Sequence, residues 1–225
     1  MLIECRDLLK NYLADNESVC AVDHVNLSVE KGDFVVILGH SGSGKTTLLS
    51  LIGGLTSPDS GEVYVDGREN WQQSDGALST MRNSKIGFIF QFASLIPTLT
   101  VMENILLPLS FSRNPAGDRA LALEILSQVG LADKENSFPS QLSGGQQRRI
   151  AIARAFVNSP DIILADEPTG DLDEETEQEI LRIFRRYNEK GTTFLVVTHN
   201  SDLAASQDRA RIFTMRQGVL EEQAG

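Results

Sequence analysis

Residues 39–46 read Gly-His-Ser-Gly-Ser-Gly-Lys-Thr, which sets Gly39, Gly44, Lys45 and Thr46 in the spacing Gly-x-x-x-x-Gly-Lys-Thr. Gly42 and Gly44 let the backbone bend until successive N–H groups face one concave nest, a shape that suits phosphate oxygens. A helix opening at Lys45 adds its positive end to that nest. Lys45 would reach the β- and γ-phosphates of a nucleotide, and the Thr46 hydroxyl would ligate Mg²⁺. The flanking residues supply the context the loop needs. Phe34–Leu38 is a short apolar run that reads as a buried strand, and Thr47–Ile52 continues as a helix until Gly53-Gly54 ends it.

Other chemistry-bearing residues fall at the ends of apolar runs. Residues 161–165 read as a buried strand that places Asp166 at its tip, suited to holding Mg²⁺ through water, with Glu167 next as a general base for an attacking water. Ile86–Phe90 is a second such strand and delivers Gln91 to a carboxyl edge, where ligands gather in parallel sheets. Residues 193–197 form a third and end in Thr198-His199. Of His24, His40 and His199, only the last stands at a strand's carboxyl end, placed to meet a γ-phosphate; the other two read as loop or surface residues. In Leu142-Ser143-Gly144-Gly145-Gln146, Ser143 is a good N-cap and the glycines expose backbone N–H groups, a second anion site at a helix start. One explanation for a second site is a nucleotide held by another subunit. Tyr12, in the polar stretch 11–13, offers a flat face for an adenine ring or packs on its own loop; spacing leaves both open.

The elements that must position these groups are legible in part. Strands are expected over 2–8 and 25–29, a turn over 57–61, and a strand over 62–65 ending in an Asp66-Gly67 hairpin signal. Residues 68–84 read as polar and irregular, with Trp71 a local packing anchor. From 92 to 158 the pattern is helical, broken by Pro97, Pro108, Pro115 and Pro139, and clearest over 101–107 and 119–129. Its apolar string Leu95, Ile96, Leu99, Val101, Ile105 and Leu106 serves both as a small core and as part of a partner groove. A helix is expected over 174–187. Its acids Asp173, Glu174, Glu175 and Glu177 fall in the first turn, where the helix dipole favours them and no functional role is required.

The bulk numbers bound the rest. With 225 residues, 41% hydrophobic and 23% charged, the composition fits one soluble α/β domain. A net charge of −11 argues against a nucleic-acid surface. No apolar run approaches the ~20 residues that span a bilayer. The first ten residues carry Glu4 and Asp7 and lack a signal-peptide core, and Cys5 and Cys20 are too few for a disulfide framework.

Together, Gly39–Thr46, Gln91, Leu142–Gln146, Ile162–Glu167, Gly170–Asp173 and His199 resemble the full motif set of an ABC-transporter ATPase subunit. The cues Phe90-Gln91, residues 95–100, Glu103-Asn104 and residues 166–170 are similar to the lipoprotein-releasing and macrolide-efflux branch, which also includes a cell-division ATPase. The resemblance implies one nucleotide-binding domain over 1–225 with an α/β P-loop NTPase (RecA-like) core. An antiparallel β sub-domain would share about 1–91 and 159–225 with the core, and an inserted α-helical sub-domain would occupy about 92–158. It implies ATP and Mg²⁺, with Tyr12 on the adenine and Gly39, His40, Ser41, Gly42, Ser43, Gly44, Lys45, Thr46 and Thr47 around the nucleotide. Thr46, Gln91 and Asp166 would serve the metal, and Lys45, Gln91, Glu167 and His199 catalysis. Leu142, Ser143, Gly144, Gly145 and Gln146 would contact the γ-phosphate held by a second copy, with Asp171 and Asp173 at the dimer interface. Many relatives have Asn or Ala where Asp171 stands.

The implied partners are a twin chain and an integral-membrane permease on a separate chain. The expected location is cytoplasmic, on the inner face of the membrane, without insertion or nucleic acid. DNA-repair and chromosome-organising ATPases share such heads but carry long coiled-coil inserts, which neither the charge nor an insert of about 65 residues fits. A mechanical or regulatory ATPase acting on a related membrane partner stays open.

Overall fold

The computed structural model describes residues 1–14, 17–111, 119–170, 172–207 and 209–223. Among them, a six-stranded sheet runs in the order β10-β9-β3-β8-β7-β6 and a four-stranded antiparallel sheet in the order β2-β1-β4-β5. The strands are β1 (Ile3–Ala14), β2 (Glu17–Val29), β3 (Phe34–Leu38), β4 (Ser60–Val65), β5 (Arg68–Glu69), β6 (Ile86–Ile89), β7 (Ile162–Asp166), β8 (Thr193–Thr198), β9 (Ala210–Arg216) and β10 (Val219–Glu222). The helices are α1 (Lys45–Ile52), α2 (Asp75–Lys85), α3 (Val101–Leu106), α4 (Arg119–Gln128), α5 (Gly144–Phe156), α6 (Glu174–Glu189) and α7 (Ser201–Ala205). No helix among the described residues is long and apolar enough to cross a membrane.

β3 lies between β8 and β9 and is parallel to both, with Phe34 opposite Phe194 on one side and Ala210 on the other. β7 runs parallel to β8 and β6. Alternation along β3 feeds two cores. Val35 and Ile37 pack with α1 and the antiparallel sheet, through Leu48, Leu51, Ile3 and Val63. Phe34 and Val36 pack on the opposite face with Ile152 and Phe156 of α5 and Ile180 and Phe184 of α6. There Phe34 stacks on Phe194 with centroids 5.0 Å apart, and Phe156 on Tyr187 at 4.2 Å. Being covered on both faces, the central strands are nearly all apolar. Their carboxyl ends therefore open on one edge of the sheet, where polar side chains can collect.

Two expectations need correction, and one region was not read. Residues 2–8 and 25–29 are pieces of much longer strands. Tyr12 therefore stands in β1, opposite Val19 of β2, and not in a loop. Register shifts at Cys5/Leu8, Leu8/Lys10 and Lys10/Asn11, with Asp7 and His24 at φ 50° and 49°, interrupt the alternation that would have revealed the pairing. Residues 75–85 are helical, not irregular. Ser74 caps the helix by accepting from the Ala77 amide, but only Leu78 is buried, so the apolar stripe is too thin to read. Finally, the chain beyond His199 adds α7, β9 and β10, and β9 is the second partner of the loop-bearing strand.

Candidate functional site

Several chain segments meet at the sheet's carboxyl edge around a cavity of about 1000 Å³, walled by residues 40–47, Gln91, Asp166, Glu167, Thr198 and His199 among others. The loop between β3 and α1 takes its shape from glycine. Gly42 and Gly44 have φ of 77° and 104°, and a Cβ on Gly44 would lie 1.9 Å from the Ala21 carbonyl oxygen of β2. The Gly218 amide, in the β9–β10 turn, donates to the Ser43 carbonyl at 3.0 Å and pins the loop from outside. Gly44 caps α1 without a side chain, so the first-turn N–H groups point into the cavity unsatisfied by the helix itself.

Inside the nest, Lys45 Nζ donates to the carbonyl oxygens of Gly39 (2.7 Å) and His40 (3.0 Å). Burial pushes its pKa down, and the nearby Glu167 and Asp166 charges oppose that. The ammonium thus sits against two weak acceptors, ready to exchange them for a stronger anion. Thr46 Oγ1 donates to Asp166 Oδ2 at 2.6 Å. Burial raises the Asp166 pKa, partly offset by the Thr46 hydrogen bond. A desolvated carboxylate beside a hydroxyl, with Gln91 in the same wall, is a hard-oxygen set that fits Mg²⁺. Among the described residues no cluster of three His, Cys, Asp or Glu could hold a metal alone, so the set suits an ion whose other ligands come from water and phosphate.

Glu167 follows β7 with φ 45°, held there by its amide donating to the Val197 carbonyl at 2.9 Å. Its Oε2 accepts from Thr198 Oγ1 (2.8 Å) and its Oε1 lies 2.9 Å from His199 Nδ1. One carboxylate oxygen is thus held by Thr198, which ends β8, and the other by His199, which follows it. The His199 side chain is 72% exposed, facing the cavity, while that of Glu167 is 15% exposed.

The other expected residues fall outside this cavity. Tyr12 does not line it; its cross-strand neighbour Val19 does, with Ala21, and Lys10 lies over the Tyr12 ring. Gly39 contributes its carbonyl to Lys45 from behind. Ser143 caps α5, its Oγ accepting from the Gln146 amide (3.2 Å) while Gln146 Oε1 accepts from the Ser143 amide (2.9 Å). Leu142 is buried beneath, and none of residues 142–146 reaches the cavity of its own chain. Asp173 caps α6, with Thr176 N and Oγ1 donating to its two carboxylate oxygens, which hold its pKa low. Asp171 lies outside the described residues.

Sequence reading missed three contributors. Arg148, on α5, is 7% exposed and donates to the Glu167 carbonyl at 2.9 Å and the Phe90 carbonyl at 3.4 Å. Asn200 and Glu177 line the cavity beyond His199. Only the Thr198-Asn200 turn left a signal, in the polar residues that end β8.

Comparison with known proteins agrees with this geometry. The family profile described as ABC transporter matches residues 22–170. An uncharacterized ABC transporter ATP-binding protein of Thermotoga maritima is 45% identical over 98% of this chain and 94% of its own length. The macrolide export ATP-binding/permease protein MacB of Syntrophobacter fumaroxidans is 42% identical over the whole chain, which spans about a third (32%) of that relative. The solved dimer of the ATP-binding cassette MJ0796 in a post-hydrolysis state with ADP and Pi superposes with a TM-score of 0.92 at 42% identity, covering 99% of both chains; the same-named protein of Methanocaldococcus jannaschii is 44% identical over 99% of this chain. With the matched span running from β2 through the glycine loop to the Glu167 turn, the chain belongs to the ABC transporter family.

Proposed function

We infer that this chain is the ATP-binding and ATP-hydrolysing subunit of an ABC transporter, working as a pair of copies that close over two ATP molecules. The observation that carries this is the convergence in one cavity of a phosphate-shaped loop, the Thr46–Asp166 pair and the Glu167–His199 pair. The loop amides and Lys45 bind the phosphates, Lys45 giving up the Gly39 and His40 carbonyls. Thr46, Gln91 and Asp166 would hold Mg²⁺, which supplies charge neutralisation on the β- and γ-phosphate oxygens. Glu167, fixed by Thr198 and His199, orients the attacking water and accepts its proton, and His199 reports the γ-phosphate.

Each copy offers the N-terminus of α5, at Ser143–Gln146, to the nucleotide of the other. The γ-phosphate adds contacts that only ATP supplies, so binding favours the closed pair and hydrolysis releases it. We assign the adenine side of the cavity to the β1–β2 hairpin, where Tyr12 shares a face with Val19. We assign the helices α3, α4 and α5 to a sub-domain beside the core, and Asp173 to the interface between copies.

A transmembrane permease docks in the groove of about 750 Å³ lined by Phe88, Phe90, Ile96, Leu107 and Pro108, beside the exposed Phe92 and Phe111. With its permease in the membrane, the chain would work at the inner membrane face. The MacB relative, named for macrolide export, favours an export role.

Glu167→Gln keeps the size and the acceptor but removes the base. Its turnover should fall at least about 100-fold, and with ATP and Mg²⁺ it should elute at twice the monomer mass in size exclusion with light scattering. Full turnover, or a persistent monomer, defeats the reading. Lys45→Ala should abolish ATP binding in calorimetry.

A further inference from the structure

Glu177 sits in the first turn of α6, yet it does not behave like its neighbours. Glu174 and Glu175 are exposed, whereas Glu177 is half-buried and lines the ATP cavity. Its Oε1 accepts two hydrogen bonds, from Thr169 Oγ1 at 2.9 Å and from Asn200 Nδ2 at 3.0 Å. Those donors belong to different loops. Thr169 is two residues beyond Glu167, in a turn closed by the Gly170 amide donating to the Glu167 carbonyl. Asn200 follows His199, and its amide N–H donates to Thr198 Oγ1, whose own proton goes to Glu167 Oε2. The Asn200 amide has little freedom to flip, because its Oδ1 already accepts from the Asp202 amide as the N-cap of α7. One oxygen therefore ties the loop that presents Glu167 to the loop that presents His199.

Resting on the ATPase reading above, we propose that Glu177 is a positioning residue for hydrolysis: it sets the spacing between the Glu167 turn and the His199 turn and so governs turnover without touching the nucleotide. Both of its donors are neutral groups, so an acceptor oxygen at this place is what the arrangement requires. The contacts of Lys45 and Thr46 involve neither Glu177 nor its partners, which leaves ATP affinity outside its reach. A loop freed by even about 1 Å can cost as much as about 100-fold in rate.

The test compares steady-state ATP hydrolysis and calorimetric ATP binding for the wild type, Glu177→Ala, Glu177→Gln, Thr169→Val and the double variant Glu177→Ala/Thr169→Val. Glu177→Ala should lower kcat by about 10- to 100-fold while leaving the ATP Kd within about twofold. Glu177→Gln, which keeps an acceptor oxygen, should recover most of that loss. Thr169→Val should reproduce part of it and add nothing further to Glu177→Ala, as expected for two members of one contact. An unchanged kcat in Glu177→Ala, a Gln variant as slow as the Ala variant, or an equal loss in ATP affinity overturns the proposal. If Glu177→Ala does not fold, Thr169→Val decides, and wild-type turnover in that variant overturns it. A wild type that hydrolyses no ATP brings down the parent reading as well, whereas an active wild type matched by Glu177→Ala sinks this inference alone.

Discussion

Arg148 is a buried cation that donates to two backbone carbonyls. Its guanidinium reaches the carbonyl oxygens of Glu167 and Phe90, which follow two neighbouring strands, β7 and β6. One carbonyl belongs to the proposed base, held at a positive φ that a non-glycine residue adopts only when its surroundings insist. The other belongs to the residue before Gln91. Replacing Arg148 with Met keeps much of the volume and removes every donor, leaving the Glu167 carbonyl with the Gly170 amide alone. Stability should fall by about 0.5–1.5 kcal/mol, the net contribution of a hydrogen bond. In urea melts this appears as a lower midpoint at unchanged slope, and kcat should fall with it because the Glu167 backbone is released. A variant with wild-type midpoint and wild-type kcat contradicts this role. No sequence pattern marks Arg148 as different from Arg149 beside it. Lys45, Thr46, Asp166, Glu167 and His199 were legible because a strand end fixes each of them locally. Arg148 and Glu177 were not, because their partners lie 19 and 23 residues away on other elements, and helical periodicity reports a face without saying what faces it.

At the scale of elements, the β1–β2 hairpin shows how an irregularity hides a structure and makes it sensitive to solvent. Its bulges place Asp7 and His24 side by side, with His24 Nδ1 2.7 Å from Asp7 Oδ1 and Asp23 at 4.0 Å from the other ring nitrogen. The Asp7 amide donates to Asn26 Oδ1, so side chains replace the ladder bonds lost at the bulge. The Asp7 carboxylate raises the His24 pKa above its ordinary value. A raised folded-state pKa means the charged pair contributes below the unfolded pKa, about 6.5, and the contribution is lost as pH rises through the folded value. Asn tolerates the left-handed backbone at position 7, so Asp7→Asn removes the charge and leaves the bulge. The Tm advantage of the wild type over Asp7→Asn should be largest near pH 5.5 and shrink by about pH 8.5, read by thermal melts at low salt. A gap that is constant with pH, or that widens upward, refutes the linkage. The same bulges explain why only the ends of these strands could be read from alternation. The uninterrupted apolar runs of β3, β7 and β8 were read almost whole, since burial on both faces leaves nothing to confuse.

For the whole molecule, the decisive feature is a separation within one chain. The cavity that holds Lys45, Thr46 and Glu167 is open to solvent, while the helix start at Ser143–Gln146, equally suited to an anion, lies outside it. A chain that folded both sites for its own use would bring them together. One that shares them needs a second copy, and the two-fold pairing then completes both sites at once. The solved MJ0796 cassette, so similar along its whole length, is itself described as dimeric. A shared site has a kinetic consequence that an independent one lacks. Below the dissociation constant of the ATP-bound pair, the concentration of complete sites scales with the square of total protein. At saturating ATP and Mg²⁺, a tenfold dilution in that range should cut the total rate by about 100-fold. Well above that constant, the same dilution should cut it by only about tenfold. Specific activity plotted against concentration should therefore rise and level off, with the bend moving to lower concentration under conditions that slow turnover and prolong the closed pair. A flat plot down to concentrations where light scattering finds only monomer would mean that a single chain completes its own site, leaving Ser143–Gln146 without a part in hydrolysis.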